Sequence, residues 1–370
     1  MNNNKIAFFC NSESFGGLEL NIVRLANRFL QNGWDVTMIA RNESAVYNRA
    51  VSLGIKVFGT GKIWKHFDYV FANRIKKFLS SNGIGTLFCT DNKDLNFIFT
   101  LRTLCSIRTV YIQQMQIGVN KKDLYHTNIY KAIDYWVSPL EILKDEVLKK
   151  TNFPASGLRV VPLGFDEKIL EDKLTKSECR KILDLPEDVF LCGIPGRFDI
   201  QKGQDFLIDC ICLIRVKNDV DIGLVLMGEP TKNEGEEYYK SLLLKIKDNN
   251  LENRIFMRGF RDDVNVFYDA IDVFTLASKS ETYGMVTVEA MAKGLPVIAT
   301  NSGGTVELLG NGKYGLLYTP NDKEDFIGKL KLLYTDKNLR DSLAQKASAE
   351  SISKYTLEHQ YQMLSGLISE

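Results

Sequence analysis

Short apolar runs alternate along this chain with stretches whose apolar residues recur every three or four positions. That alternation predicts most of the fold. Ile6 to Cys10 is a continuous apolar run, the signature of a strand covered on both faces. A polar loop, Asn11 to Gly17, follows and ends in Gly16-Gly17. Leu18, Ile22, Leu25 and Phe29 then share one face of a helix predicted from Leu18 to Leu30. Gly33 closes that helix, and Val36 to Ala40 is the next strand. Strand, glycine loop, helix and strand in this order predict a parallel sheet. Further strands are predicted at Thr86–Thr90, Thr109–Gln113 and Tyr135–Ser138.

The second half repeats the scheme without repeating the sequence. Phe190 to Ile194 reads as a strand, Pro195 to Gly203 as a loop and Asp205 to Arg215 as a helix. Gly223 to Met227 is another strand, and Ile255–Arg258, Val273–Ala277 and Val297–Thr300 continue the alternation. Glu229 to Glu237 is polar and predicts a surface loop, while Val160 to Asp166 predicts the hinge. With 370 residues the chain is long enough for two domains of ordinary size. The expected division is 1–160, 161–350 and a C-terminal helix, 351–370, packing back on the first domain. Ligands of open α/β sheets bind beyond the carboxyl ends of the strands, so the cleft between two such domains is the expected site.

Chemistry concentrates in two segments of the second half. In the first, Ser278 to Thr300, Glu281 and Glu289 stand eight positions apart across Tyr283-Gly284. Val286, Glu289, Ala290 and Lys293 keep helical spacing, and Gly294 and Pro296 stop that helix. The amides of Gly284, Met285 and Val286 therefore lie near a helix start, where free N–H groups attract anions. Carboxylates accept hydrogen bonds from hydroxyls. An anion site beside two hydroxyl acceptors suits a sugar nucleotide. In the second segment, Gly196 to Gly203, Arg197 and Lys202 share one glycine-bounded loop, enough charge to neutralise a diphosphate. Glu307, after Gly303-Gly304, reads as a complement to a helix start rather than a catalyst. Asp262-Asp263 reads as a surface pair, and no Asp-x-Asp metal pair stands in a suitable loop.

Charge changes this picture in one respect. The net charge is +1, yet residues 1–160 carry 21 Lys and Arg against 12 Asp and Glu, a net of +9, which leaves −8 on the rest. A basic first half suggests an anionic partner, a phosphorylated acceptor or an acidic membrane surface. Within Lys62 to Leu79, Trp64, Phe67, Val70, Phe71, Ile75 and Phe78 keep helical spacing beside Lys65, Lys76 and Lys77. That stretch would suit an anionic bilayer or simply pack on its own sheet. The seven cysteines are odd in number and lack Cys-x2-Cys spacing, which argues against a disulfide framework and fits a reducing cytosol. No stretch approaches the ~18 apolar residues of a membrane span, and nothing points to nucleic acid.

Taken together these residues resemble the retaining glycosyltransferases of family 4, which have the GT-B fold: α/β, with two Rossmann-like domains whose parallel sheets face a central cleft. The resemblance covers nearly the whole chain. Phe15-Gly-Gly-Leu-Glu19 with Gly33-Trp-Asp-Val36 is similar to the family's N-terminal signature, and Val160 to Asp166 to its linker. Gly196-Arg197 with Lys202-Gly203 is similar to its pyrophosphate loop, and Glu281 to Glu289, followed by Gly294-Leu-Pro-Val and Gly303-Gly304, to its Glu-x7-Glu motif. The resemblance implies a metal-independent, retaining transfer from a nucleoside-diphosphate sugar, UDP above all. No cofactor is implied beyond that co-substrate. The acceptor would be a glycan or lipid-linked acceptor of cell-surface polysaccharide or lipopolysaccharide synthesis, reached from the cytoplasm or the inner membrane face. It implies that Arg197 and Lys202 hold the pyrophosphate with the amides of Gly284, Met285 and Val286. Glu289 would hold the ribose and Glu281 the sugar. Gly16, Gly17 and Tyr283 would join the donor site, and Phe260 and Arg261 would border the base. Where the family commonly carries a histidine, after the strand ending at Ile112, this chain has Gln113-Gln114-Met115-Gln116. Glutamine binds a sugar hydroxyl but does not titrate near neutrality, so no general base is assigned. Gln113, Gln114 and His126 remain candidates for the acceptor or sugar. A sugar-nucleotide epimerase of the same architecture and a non-catalytic sugar-nucleotide-binding module are the alternative readings.

Overall fold

The computed structural model describes residues 4–14, 16–62, 68–171, 174–217, 220–230 and 235–369. They form two units, Met1–Gly164 with Leu357–Glu370 and Phe165–Thr356. Among the described residues the first unit holds seven strands: β1 (Lys5–Cys10), β2 (Asp35–Arg41), β3 (Lys56–Thr60), β4 (Thr86–Cys89), β5 (Arg108–Ile112), β6 (Tyr135–Ser138) and β7 (Leu158–Val160). All pair in parallel, in the order β3-β2-β1-β4-β5-β6-β7. The second unit holds β8 (Phe190–Pro195), β9 (Ile222–Met227), β10 (Ile255–Arg258), β11 (Val273–Leu276), β12 (Val297–Thr300) and β13 (Leu316–Tyr318), in the parallel order β10-β9-β8-β11-β12-β13. Each sheet reverses its strand order once, at β1/β4 and at β8/β11. Such a reversal opens a crevice at the carboxyl ends of the two strands.

The expected apolar runs are the inner strands. Residues 6–10 of β1 and all of β4, β9, β11 and β12 are buried, because helices cover both faces of a parallel sheet. The expected Leu18–Leu30 helix spans Gly17–Gln31 and buries Ile22, Leu25 and Phe29. Phe8 stacks on Phe88 with centroids 4.9 Å apart, and the edge of Phe29 meets Phe8 at 5.8 Å.

The C-terminal segment 351–370 is two pieces rather than one helix. Helix Lys337–Lys354 stays in the second unit, where Ser351 Oγ donates to the Val288 carbonyl at 2.7 Å. Helix Leu357–Ser369 belongs to the first unit. There Arg28 pairs with Glu358 at 3.0 Å, Trp34 Nε1 donates to the Tyr361 hydroxyl at 3.1 Å and the Gly164 amide donates to Gln360 Oε1 at 2.9 Å.

Of the stripe expected over residues 62–79, Phe71, Ile75 and Phe78 pack inward while Val70 does not; Trp64, Lys65 and Phe67 lie outside the described residues. Asp68 caps helix Tyr69–Asn82 by accepting from the Phe71 amide at 3.0 Å. Ile75 and Leu79 are buried, Phe71 packs on Phe97 and Phe78 on Phe58. Packing on the sheet takes these side chains out of reach of a bilayer. Tyr69 and Val70, the latter 87% exposed, remain on the surface. No helix of the described residues is long and apolar enough to cross a membrane. All seven cysteines are free thiols, and burial pushes Cys10 and Cys192 up to about 12.

Candidate functional site

In the second unit, three loops at the carboxyl ends of β8, β11 and β12 lock together. The β8 loop runs Gly196 to Gly203, and Asp199 opens its short 3-10 turn, Ile200–Lys202, by accepting from the Gln201 amide at 2.8 Å. The Gln201 carbonyl accepts from the Lys279 amide of the β11 loop at 2.9 Å. The Glu281 carbonyl accepts from the Gly304 amide of the β12 loop at 2.9 Å. Two glycines make this fit possible. Gly203 has φ +69° and a Cβ there would sit 2.2 Å from the Ala277 carbonyl oxygen; Gly303 has φ +61° and its Cβ would sit 2.4 Å from that of Glu281. Gly203→Ala is therefore expected to cost about 1–3 kcal/mol in backbone strain alone, before the clash is relieved. Urea denaturation measures it, and an unchanged midpoint would mean that the two loops are not in contact.

The locked loops bring Lys202 and Glu281 together, Nζ to Oε1 at 2.5 Å, with both side chains mostly buried. Ser278 Oγ donates to the same Oε1 at 2.8 Å. Glu281 Oε2 carries no partner among the described residues and is the oxygen open to a hydroxyl donor. Arg197 is exposed and its guanidinium likewise has no partner there. Its charge is available to an anion without any hydrogen bond or ion pair being broken.

Helix Met285–Ala292 starts at Gly284, so the expected amides of Gly284, Met285 and Val286 do lie at a helix start. Glu289 is half-buried on that helix, and the Tyr268 hydroxyl donates to its Oε2 at 2.8 Å. Burial and then the Glu289 charge push the Tyr268 phenol well above its ordinary range, so it stays a donor that fixes the carboxylate. Tyr268 was not legible as a site residue, since Val266-Phe267-Tyr268 reads as helix core.

Two side chains expected at the donor site make contacts within the unit. Tyr283 is buried at 3% exposure and its ring packs against Tyr355, so it supports the loop from beneath. Arg261 spends its guanidinium on Asp263, with bonds of 2.8 and 2.7 Å, which also makes the expected Asp262-Asp263 surface pair half of an ion pair. Phe260 is 62% exposed beside it, at the carboxyl end of β10.

In the first unit, Gly16 and Gly17 sit where β1 leads into its helix. Glu19 closes the turn, accepting from the Gly16 amide at 2.8 Å and from Ser12 Oγ at 2.6 Å. Gln114 reaches the same helix, its Oε1 accepting from Asn21 at 3.2 Å. Gln113 is committed to bonds within the unit. It is 1% exposed, its Oε1 accepts from Trp136 Nε1 at 3.1 Å and Ser138 Oγ at 2.8 Å, and its Nε2 donates to the Met115 carbonyl at 2.9 Å. This carboxamide ties β5 to β6. His126 sits on helix Leu124–Tyr130 with its Nδ1 2.6 Å from Asp123, the residue that caps that helix. Its bonds hold the Asp123 carboxyl below the usual range. One group at the β1/β4 crevice had no motif to announce it. Burial, and then the Asp91 charge, lift Asp94 to about 8; the Asn11 amide lies 3.4 Å from it.

Residues 175–350 match the family model described as glycosyl transferases group 1. The matched stretch holds Arg197, Lys202, Tyr268, Glu281 and Glu289, and there the chain is similar to that family. Over 232 residues, 61% of the chain, it is 40% identical to the sulfoquinovosyl transferase of Arabidopsis thaliana, covering 42% of that protein. Over 214 residues, 56% of the chain, it is 30% identical to the lipopolysaccharide core biosynthesis glycosyltransferase LpsE of Rhizobium meliloti, covering 59% of it. The chain thus spans about half the length of the curated relatives it matches. The fold is GT-B. It matches Anabaena HepE, solved in complex with UDP, with a TM-score of 0.86 over 99% of both chains at 20% identity.

Proposed function

We propose that the protein is a retaining glycosyltransferase that moves a sugar from a UDP-sugar to a glycan or lipid-linked acceptor of cell-surface polysaccharide or lipopolysaccharide synthesis. The observation that carries this reading is the Lys202–Glu281 pair beside the unpartnered Arg197 and the Gly284–Val286 helix start. It offers charge for a diphosphate and, within one bond of it, a carboxylate oxygen for a sugar hydroxyl. UDP is favoured because HepE was solved with it. The polysaccharide setting is favoured by likeness to LpsE.

In this reading the anomeric carbon–oxygen bond breaks while the acceptor oxygen bonds to the same face. Negative charge grows on the leaving diphosphate and is met by Arg197, Lys202 and the helix-start amides. The leaving phosphate takes the acceptor proton, so no metal and no general base are required. Glu289, fixed by Tyr268, takes the ribose. An apolar acceptor is favoured by Met115, Val119, Leu124 and Tyr125, all exposed in the first unit near Lys121 and Lys122. The free thiols favour a reducing compartment.

Hydrolysis of UDP-sugars without acceptor, followed by proton NMR, tests this reading. The α anomer is expected to appear first from an α-linked donor, at the same rate in EDTA. A β anomer first, or activity that EDTA removes and magnesium restores, would overturn the mechanism.

A further inference from the structure

A second basic site lies in the first unit at the opposite end of its sheet. β5, β6 and β7 begin at Arg108, Tyr135 and Leu158. Between their amino ends is a shallow cavity of about 520 Å³ lined by Arg102, Arg108, Arg159, Asp134, Tyr135 and Ser156, among others. Gly16-Gly17 and Gln114 follow the carboxyl ends of β1 and β5, so this cavity is separate from the crevice already described.

Each guanidinium is held by the protein before any ligand arrives. Arg102 donates to the Ile107 carbonyl and, at 3.2 Å, to Asp134 Oδ1. Arg108 Nη1 donates to the Ile368 carbonyl at 2.7 Å. Arg159 Nη1 donates to the Ser156 and Leu158 carbonyls at 2.7 and 2.9 Å, and its carbon lies 5.2 Å from the Tyr135 ring centre. Asp134 is the one carboxylate in the lining, and its second oxygen is taken by the Thr109 amide at 2.7 Å. Among the described residues neither Arg108 nor Arg159 has a carboxylate partner. Three positive charges thus face one negative charge, while most of the five N–H groups of each guanidinium remain available. Like charges gathered this way repel, and a doubly negative ligand with several acceptor oxygens relieves that repulsion. Planar guanidiniums recognise such oxygens in pairs.

We propose that the cavity between Arg102, Arg108 and Arg159 is an accessory binding site for a phosphoryl group, distinct from the donor site. The ligand bridges Arg108 and Arg159 and leaves Arg102 with Asp134. Ser156 stands at its rim. Because Arg108 is anchored on the last turn of helix Leu357–Ser369, occupancy also tightens that helix on the unit.

Calorimetric titration with inorganic pyrophosphate tests the assignment. Arg108→Gln and Arg159→Gln are each expected to weaken one binding event by about tenfold or more. Arg197→Ala should leave that event intact, so failure of the donor reading does not decide this one. Both variants should stay folded, as a melting scan checks, since each loses only exposed or partly buried hydrogen bonds to carbonyls. Added salt should weaken the event, as screened attraction requires. Flotation with phosphatidic acid vesicles, lost in the same two variants, would assign the phosphoryl group to a lipid headgroup. Titration without flotation would assign it to a soluble ligand. Absence of any event sensitive to these arginines, or its survival in either folded variant, overturns the proposal.

Discussion

Lys202→Ala is expected to lower UDP-sugar turnover by about 100- to 1,000-fold, the loss that follows removal of one preorganised charge partner from a transition state. It should also lower the melting temperature. Lys202 pairs with Glu281 at 2.5 Å in a mostly buried setting, and its removal leaves that carboxylate with Ser278 alone. Adding Glu281→Gln to Lys202→Ala should recover the melting temperature without recovering turnover. Arg197→Ala should behave differently. Its guanidinium makes no hydrogen bond or ion pair among the described residues, so stability should stay unchanged while diphosphate affinity falls by about 10- to 100-fold. Turnover of Lys202→Ala within a few fold of wild type would remove Lys202 from the chemistry.

Glu281 and Glu289 should separate binding from turnover. Glu289→Gln is expected to weaken UDP by about tenfold or more, because a charged hydrogen bond to the ribose is lost. Tyr268→Phe should reproduce part of that loss, since the Tyr268 hydroxyl holds the carboxylate at 2.8 Å. Glu281→Gln should leave UDP affinity equal or improved, because Lys202 is released from its partner and free to meet the diphosphate. Its turnover should collapse, because the hydroxyl of the transferred sugar loses a charged acceptor. UDP affinity measured beside kcat for each variant decides the matter. The reverse pattern would exchange the two roles.

The strands that the sequence shows plainly are mostly those the fold buries on both faces. β1, β4, β5, β8, β9, β11 and β12 are interior strands and read as continuous apolar runs. The strands it conceals, β3, β7 and β13, are all sheet edges. β7 and β13 have three residues each, and all three strands are partly exposed, so their runs are short or broken by Lys56, Gly59 and Arg159.

At the site the same contrast holds. Glycines with charges on loops advertise themselves: Gly203 and Gly303 are demanded by the backbone oxygens they press against, and they bring Lys202 to Glu281. Polar residues at a strand end do not reveal which way they serve. Gln113 looked open to a ligand and is a strut between β5 and β6. Arg261 looked open to the base and is held by a residue two positions on. Tyr268 and Asp94 matter through contacts made across the fold, which no local spacing encodes.

The central claim is that the second unit holds the diphosphate of a nucleotide sugar on Arg197, Lys202 and the Gly284–Val286 helix start. Calorimetric titration of UDP into the wild-type chain and into Arg197→Ala tests it most directly. One binding event per chain in the wild type, weakened by about tenfold or more in a variant that melts at the wild-type temperature, is the predicted result. No UDP binding, or equal affinity in the two proteins, would contradict it.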